Sequence, residues 1–214
     1  MKSYFVVLFT VLSIAHANGD YEKCSRSHGI DDEMRDKFVD THNGYRSLLA
    51  QGLAFTQGGA DSRKASKMRS LVYDCDAENS AYESAMKCST TASSSEKYDE
   101  NVYVIEDDGD VSDPILEAVN SWSSEALDLN QAKTGNLYSS SDKIPNFANV
   151  AWDSHTKVGC AVVKCGSKTH VVCHYTPKEE AEGRLIYEMG DPCSRCNAYG
   201  EFTCEEGLCV TKQK

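Results

Sequence analysis

The first half of the chain alternates apolar and polar residues with the period of a helix. Between Met34 and Leu49 the apolar positions recur at near-helical spacing, which predicts an amphipathic helix. Asp31 and Asp32 can cap its start, since a side-chain oxygen there accepts a free backbone N–H. Gly52 follows the last apolar position and is typical of a helix end. His42 lies beside the apolar stripe of this helix.

Three more segments show helical patterns. Residues 65–70 favour a short helix, and between Ala77 and Ala85 every fourth residue is alanine, which predicts a helix with a small face for close packing. Asp113 can cap a third helix that starts with Pro114, because proline has no N–H to leave unpaired. Its predicted inner face carries Ile115, Val119, Trp122 and Ala126.

Extended apolar runs dominate the later part of the chain. Residues 101–105, 148–152, 158–164 and 169–175 each resemble a strand. Gly166 and Ser167 form a plausible hairpin turn between the last two runs. Because the connections between the strands are short, we expect an antiparallel sheet covered by helices, which is an α+β fold.

The N-terminus resembles a secretory signal peptide. Lys2 supplies a positive charge, residues 4–14 are apolar but too few to span a bilayer, and the Ala15-His16-Ala17 stretch resembles a cleavage site. An N-terminal anchor or a buried helix is the alternative. Cleavage after Ala17 would remove residues 1–17, and we therefore expect an extracellular, secreted protein without a membrane span.

Charge and cysteine content narrow the class of protein further. A net charge of -11 argues against a nucleic-acid partner, since the field would repel phosphates. All ten cysteines follow the predicted cleavage point, which indicates a disulfide framework in an oxidising compartment. We divide the mature chain into a body, 18–190, with an N-terminal lead-in, and a cysteine-rich C-terminal extension, 191–214. The extension contains a Cys-x-x-Cys spacing that also suits zinc or redox chemistry, but a secreted chain favours disulfides.

A set of motifs in order along the chain resembles the CAP superfamily of cysteine-rich secretory proteins. These motifs are His42-Asn43-x-x-Arg46, Asp99-Glu100-Asn101, Trp122-x-x-Glu125, Phe147-Ala148-Asn149-Val150-Ala151-Trp152, Val158-Gly159-Cys160 and Val172-Cys173-His174-Tyr175-Thr176-Pro177. The likeness covers residues 31–177. The single domain, the acidic charge and Tyr73-Asp74-Cys75 resemble the activation-associated secreted proteins of parasitic nematodes, including the hookworm type.

The resemblance implies an α-β-α sandwich with an open central cleft lined by two histidines and two glutamates. The matching positions are His42, Glu100, Glu125 and Asn146, so an asparagine stands where the family has its second histidine. An amide oxygen is a poor zinc ligand compared with imidazole. We therefore expect no metal, no cofactor and no catalytic residue. The alternative is a buried polar network that fixes the sheet against its helices.

Disulfide pairing cannot be read from cysteine spacing alone. The resemblance implies a bond between Cys160 and Cys173. An interleaved pairing is preferred in the extension, and Cys88 with Cys165 is favoured among the remaining four. The expectations for these eight cysteines are Cys160–Cys173, Cys193–Cys204, Cys196–Cys209 and Cys88–Cys165, with Cys24 and Cys75 left over. The acidic turn at 107–110 lacks the alternation of a calcium loop and is expected to be solvated.

Three functions remain in competition. The first is a non-enzymatic, secreted interaction protein, for which the resemblance implies a host-directed role in immune modulation with a host cell-surface or extracellular protein as partner. The second is a small-lipid or sterol carrier with an apolar groove near Trp122. The third is a metal-dependent hydrolase using His42, Glu100 and Glu125. The chain has no Gly-x-Ser-x-Gly and no His-Glu-x-x-His motif, which favours the first.

Overall fold

The computed structural model describes residues 24–25, 28–93, 95–106 and 113–211, so the predicted signal peptide and the acidic turn at 107–110 lie outside the described residues. Helix α1 spans Asp32–Gln51. The Asp31 side chain accepts the Met34 N–H, and Gly52 ends the helix in the left-handed conformation with φ 73°. The start and the end predicted for this helix are confirmed.

The described residues contain four further helices and four short 3-10 turns. Asp74 and Asp113 cap the second and third helices by accepting backbone N–H groups, and Pro114 opens the third as predicted. The helices are α2, Cys75–Ala85; α3, Pro114–Ser124; α4, Gln131–Thr134; and α5, Pro145–Ala151. The 3-10 turns are Gln57–Gly59, Glu125–Asp128, Ser140–Asp142 and Cys196–Tyr199.

The main sheet has four strands in the order β1-β3-β4-β2. These strands are β1, Val72–Tyr73; β2, Asp99–Glu106; β3, Lys157–Cys165; and β4, Lys168–Thr176. Strands β3 and β4 form the predicted hairpin around Gly166 and Ser167, and β2 pairs antiparallel with β4. The two-residue β1 runs parallel to β3 at the edge. A separate hairpin joins β5, Phe202–Glu205, to β6, Leu208–Thr211.

Helices cover both faces of the main sheet, as the predicted α-β-α sandwich requires. On one face α1, α3 and α5 pack around a core that includes Phe38, Trp122, Val150 and Tyr175. On the other face α2 packs its alanines against β3 and β4. Gly159 permits this close approach, because a Cβ there would lie 2.2 Å from the backbone nitrogen of Glu78.

Two predicted elements are wrong. Residues 148–152 do not form a strand, because residues 145–151 form helix α5, in which Pro145 is the first residue. A short apolar run fits a buried helix as well as a strand, and only the flanking residues decide. Residues 65–70 are not helical either. Their backbone pairs with the C-terminal region instead, through bridges from Ala65 to Met189 and from Arg69 to Cys209.

Five disulfides link the chain, and no cysteine is free. The pairs are Cys24–Cys75, Cys88–Cys165, Cys160–Cys173, Cys193–Cys204 and Cys196–Cys209. The structure thus contains all four expected pairings and joins the two remaining cysteines. The cysteine-rich extension also packs on the body, since Leu208 is buried in the core cluster that contains Phe147 and Trp152.

Candidate functional site

His42 lies on α1 and is fully buried against the sheet. Its Nδ1 is 2.7 Å from the Phe38 carbonyl oxygen, and its Nε2 is 2.9 Å from the Tyr175 hydroxyl oxygen. A carbonyl only accepts, so Nδ1 donates and Nε2 accepts from Tyr175. Burial lowers the pKa of His42 to about 4. His42 is therefore neutral at pH 7, with both ring nitrogens already bonded.

Glu125 and Asn146 are in direct contact. Glu125 begins a 3-10 turn after α3, and its carboxylate accepts from the Asn146 side-chain amide at 2.6 Å. It also accepts the backbone N–H groups of Asn146 and Phe147 at 2.8 and 2.9 Å. These N–H groups belong to the first turn of α5 and have no partner within the helix. The carboxylate of Glu125 thus caps α5.

Asn101 connects His42 to the Glu125–Asn146 pair. Its Nδ2 donates to the Asn146 carbonyl oxygen at 3.0 Å and to the Tyr175 hydroxyl at 3.2 Å. A continuous hydrogen-bonded path therefore runs from α1 through the sheet to α5. We call its members the polar cluster: His42, Tyr175, Asn101, Asn146 and Glu125.

Glu100 does not join the polar cluster. Successive residues of a strand point to opposite faces of the sheet, so Asn101 faces α1 and α5 whereas Glu100 faces α2. Glu100 accepts from His174 Nε2 at 2.6 Å and from the backbone N–H and hydroxyl of Ser93. Burial acts to raise the pKa of Glu100, but the hydrogen bonds from His174, Ser84 and Ser93 outweigh it and the pKa is lowered.

The four side chains predicted to line one cleft are thus not joined in a single hydrogen-bonded group in the part of the chain that the structure describes. The structure brings Glu125 and Asn146 together and links His42 to them through Tyr175 and Asn101. Glu100 instead bonds to His174 and Ser93. The physical reason is the twofold alternation of side chains along β2. The alternative of a polar network between sheet and helices describes the polar cluster better.

Sequence reasoning missed two histidines beside acidic side chains. His174 stands opposite Glu100 on neighbouring strands, and His155 Nε2 is 3.1 Å from Asp99 Oδ2. The pairing of β2 with β4 would have placed His174 beside Glu100, but the register was not assigned from the sequence. His155 lies outside any strand, so no spacing rule indicated it.

The metal site and the lipid groove that the alternative functions require can be compared with the same geometry. Within the described ranges, no group of three or more His, Cys, Asp or Glu side chains is arranged to hold a metal ion. Trp122 is buried in the core and its indole N–H donates to the Val102 carbonyl oxygen. Trp122 and Trp152 are therefore core residues, and Trp122 does not line an open groove.

A disulfide-linked α-β-α sandwich with the CAP-like motifs on α1, β2, α5 and β4 is the fold expected of a cysteine-rich secretory protein. The family model described as "CAP: Cysteine-rich secretory protein family" matches residues 39–175, and the chain belongs to this family.

Individual relatives extend the likeness over nearly the whole chain. "Hookworm platelet inhibitor 1" of Ancylostoma caninum is 46% identical over 215 residues, covering 98% of this chain and 99% of the relative. "Ancylostoma secreted protein" from the same organism is 34% identical over 88% of this chain and 46% of its own length. The crystal structure of hookworm platelet inhibitor superimposes with a TM-score of 0.75 at 44% identity, over 89% of this chain and 97% of that one. In the described residues, no helix is long and apolar enough to cross a membrane.

Proposed function

We propose that this protein is a secreted, non-enzymatic effector of a parasitic nematode that binds a host cell-surface protein. The observation that carries the proposal is the 46% identity to hookworm platelet inhibitor 1, which extends over almost the full length of both chains. The name of that relative makes platelets the first host cell to test. Leukocytes are the second host cell to test, because the resemblance to nematode secreted proteins implies a role in immune modulation.

The polar cluster supports a function without turnover. His42 is neutral and buried, and the carboxylate oxygens of Glu125 accept three hydrogen bonds. General acid–base catalysis needs a proton-transferring group within reach of a substrate. Nucleophilic catalysis by cysteine needs a thiolate, whereas all ten cysteines are bridged. His42 and Glu125 are thus engaged in holding α1, β2 and α5 together.

The disulfides support action outside the cell. Five bridges persist in an oxidising compartment and are rare in the cytosol. They also restrict the unfolded chain, and a typical bridge thereby stabilises the fold by about 2–4 kcal/mol. Such a framework suits a protein that keeps its shape in a host tissue, and it agrees with the signal peptide expected at residues 1–17.

Washed platelets and purified leukocytes provide the direct test. The oxidised, folded protein is added to each cell type, and we expect dose-dependent inhibition of platelet aggregation or adhesion, or altered leukocyte migration, with saturable surface binding. Hookworm platelet inhibitor 1 is the positive control, and the reduced and alkylated chain is the negative control. Absence of binding to both cell types would contradict the proposal.

Enzymatic activity is tested separately with the variant Glu125→Gln. We expect this variant, when folded, to retain the effect on cells, because Glu125 acts in structure. A panel of ester and peptide substrates should show no turnover that depends on Glu125. Turnover abolished by Glu125→Gln would instead favour the hydrolase.

A further inference from the structure

Three segments outside the main sheet are joined by hydrogen bonds and form one surface. The Asn130 side-chain amide donates to Gln57 Oε1 at 2.8 Å, and Gln131 Oε1 accepts the Arg63 backbone N–H at 2.7 Å. Gln131 Nε2 in turn donates to the Tyr187 hydroxyl at 2.6 Å. These bonds fix the loops relative to one another. We call this surface the three-loop face: residues 53–64, 127–137 and 185–191.

An open groove of about 630 Å³ lies in the middle of the three-loop face. Arg63 and Lys64 line one part of it, and Gln131, Ala132 and Met189 line others. This volume is within the range of pockets that hold small ligands or single anchoring side chains. The groove is therefore large enough to take a short segment of another protein.

The groove carries positive charge on an otherwise acidic protein. Arg63 and Lys64 are both exposed, and neither has an ion-pair partner within the described part of the chain. Asp191 is the one acidic residue in the lining, so the lining carries two cations and one carboxylate, whereas the exposed Asp61 and Asp128 lie elsewhere on the three-loop face. The whole chain has a net charge of -11. This local excess of cations favours an acidic group in the groove.

The three-loop face has an apolar edge. Leu137, Leu185 and Met189 are 45%, 42% and 40% exposed, although side chains of this type are usually buried. Leu137 and Leu185 are neighbours, because their backbones form a β-bridge. The three-loop face holds six of the nine large apolar side chains that are exposed in the described residues: Leu53, Phe55, Leu127, Leu137, Leu185 and Met189. A concentration of this kind is typical of a protein-binding surface.

We propose that the three-loop face binds a segment of a partner protein in which acidic residues alternate with apolar ones. The acidic residues would contact Arg63 and Lys64, and the apolar residues would contact Leu137 and Leu185. A long polyanion such as a sulfated polysaccharide fits less well, because the overall charge repels it and it leaves the apolar edge uncovered. The inference rests on the proposed function, since the partner is then the host cell-surface protein.

A defined peptide tests the chemistry without the cell. The probe is a short fluorescein-labelled peptide of alternating leucine and glutamate, and its counterpart has lysine in place of glutamate. Fluorescence anisotropy should show saturable binding of the glutamate peptide only. We expect Arg63→Glu/Lys64→Glu to weaken binding by about tenfold or more. The matched control Lys87→Glu/Lys168→Glu, on the α2 side, should stay within about twofold of the original protein.

The apolar edge has its own matched pair of variants. Leu137→Ser/Leu185→Ser should also weaken binding of the glutamate peptide by about tenfold. Met86→Ser/Leu116→Ser changes two residues of similar exposure, 53% and 44%, outside the three-loop face and should have no effect. Thermal unfolding of each variant shows that the fold is retained.

Four outcomes would overturn the inference. The first is no saturable binding of the glutamate peptide, and the second is an equal loss of peptide binding in the test and control variants. The third is tighter binding of a heparin fragment than of the peptide. The fourth is self-association of the protein that Arg63→Glu/Lys64→Glu abolishes. The last outcome would assign the surface to a second copy of the chain.

Cells separate this inference from the proposed function. If the protein binds platelets or leukocytes, and folded Arg63→Glu/Lys64→Glu binds them equally well, the inference fails and the proposed function stands. If the protein binds the peptide in the predicted way but neither cell type, the proposed function fails and the peptide-binding surface stands. Loss of cell binding in the groove variant alone supports both.

Discussion

The polar cluster and the three-loop face differ in how completely their polar groups are paired. In the polar cluster His42, Tyr175 and Glu125 bond to one another through Asn101 and Asn146, and His42 is fully buried. On the three-loop face Arg63 and Lys64 are exposed beside apolar side chains. Paired buried groups stabilise one structure, whereas unpaired charges beside exposed apolar surface are available to a partner.

The motif residues singled out in the sequence are therefore not the residues best suited to bind a partner. The residues with recognisable chemistry belong to the region that holds the fold together, and the surface suited to binding consists of ordinary loop residues. Variants in the two regions should therefore affect different measured properties. Changes in the buried region should lower stability, and changes in the three-loop face should alter binding alone.

The largest loss of stability is expected for Arg46→Ala. Arg46 is fully buried on α1 and donates to the carbonyl oxygens of Arg69, Val150 and Trp152 at 2.7–2.9 Å. Its removal leaves these acceptors unpaired and opens a cavity, which should cost about 3–5 kcal/mol. Urea unfolding with the disulfides intact measures this loss. Exposed Arg63→Ala is the control, and a similar loss in both variants would contradict the contrast between the two regions.

The next effect is a pH dependence due to His42. Its pKa is about 4 when folded, below the unfolded value of about 6.5. The contribution of neutral His42 to folding stability is fully present above about pH 6.5. It is lost as the pH falls, because between about pH 6.5 and pH 4 the unfolded chain binds a proton at His42 and the folded chain does not. Between pH 7 and pH 4.5 this group should cost about 2–3 kcal/mol. His42→Gln should flatten that part of the unfolding free energy against pH, and an unchanged slope would show that other groups cause it.

A smaller loss is expected on the α2 side of the sheet. In Gly159→Ala the new Cβ would lie 2.2 Å from Glu78 N and 2.4 Å from Asp74 O, which are backbone atoms. Helix α2 must then move away from the sheet, at a cost of about 1–3 kcal/mol. Gly44→Ala is the matched control, because no atom lies within 4 Å of its new Cβ and alanine favours the interior of α1. A destabilised Gly44→Ala would indicate that factors other than the close approach of α2 matter.

Local signals predicted those parts of the fold that depend on neighbouring residues. Asp31 and Gly52 bound α1, and Asp113 with Pro114 starts α3, because caps and helix starts are decided within one turn. The local pattern of residues 148–152 fits a strand as well as a helix. The carboxylate of Glu125, about twenty residues away, caps the helix that forms there.

The site was harder to predict because it depends on long-range register. The CAP-like motifs indicated Glu100 and His42, but a motif does not tell which face of the sheet a side chain occupies. Glu100 pairs with His174 only because β2 lies antiparallel to β4 in one register. The groove of the three-loop face had no signal in the sequence, since three distant loops create it.

The Glu125→Gln variant tests whether the carboxylate that caps α5 stabilises the fold. Glutamine has one acceptor oxygen, so it cannot receive all three donors from Asn146 and Phe147, and it brings an N–H₂ group toward them. We expect a loss of about 1–2 kcal/mol. Glu83→Gln on the exposed surface of α2 is the control. If Glu125→Gln unfolds at the same urea concentration as the original protein, the cap on α5 does not stabilise the fold.

The smallest effect on stability is expected for Arg63→Glu/Lys64→Glu. The Arg63 side chain has no bonded partner among the residues that the structure describes, and the Lys64 stem only covers Gly52 at the end of α1. Surface changes of this kind usually alter stability by less than about 0.5 kcal/mol. Urea unfolding should therefore coincide with that of the original protein even where peptide binding is lost. A loss of more than about 1 kcal/mol would show that the two cations stabilise the loops, and the contrast between a structural region and a binding region would no longer hold.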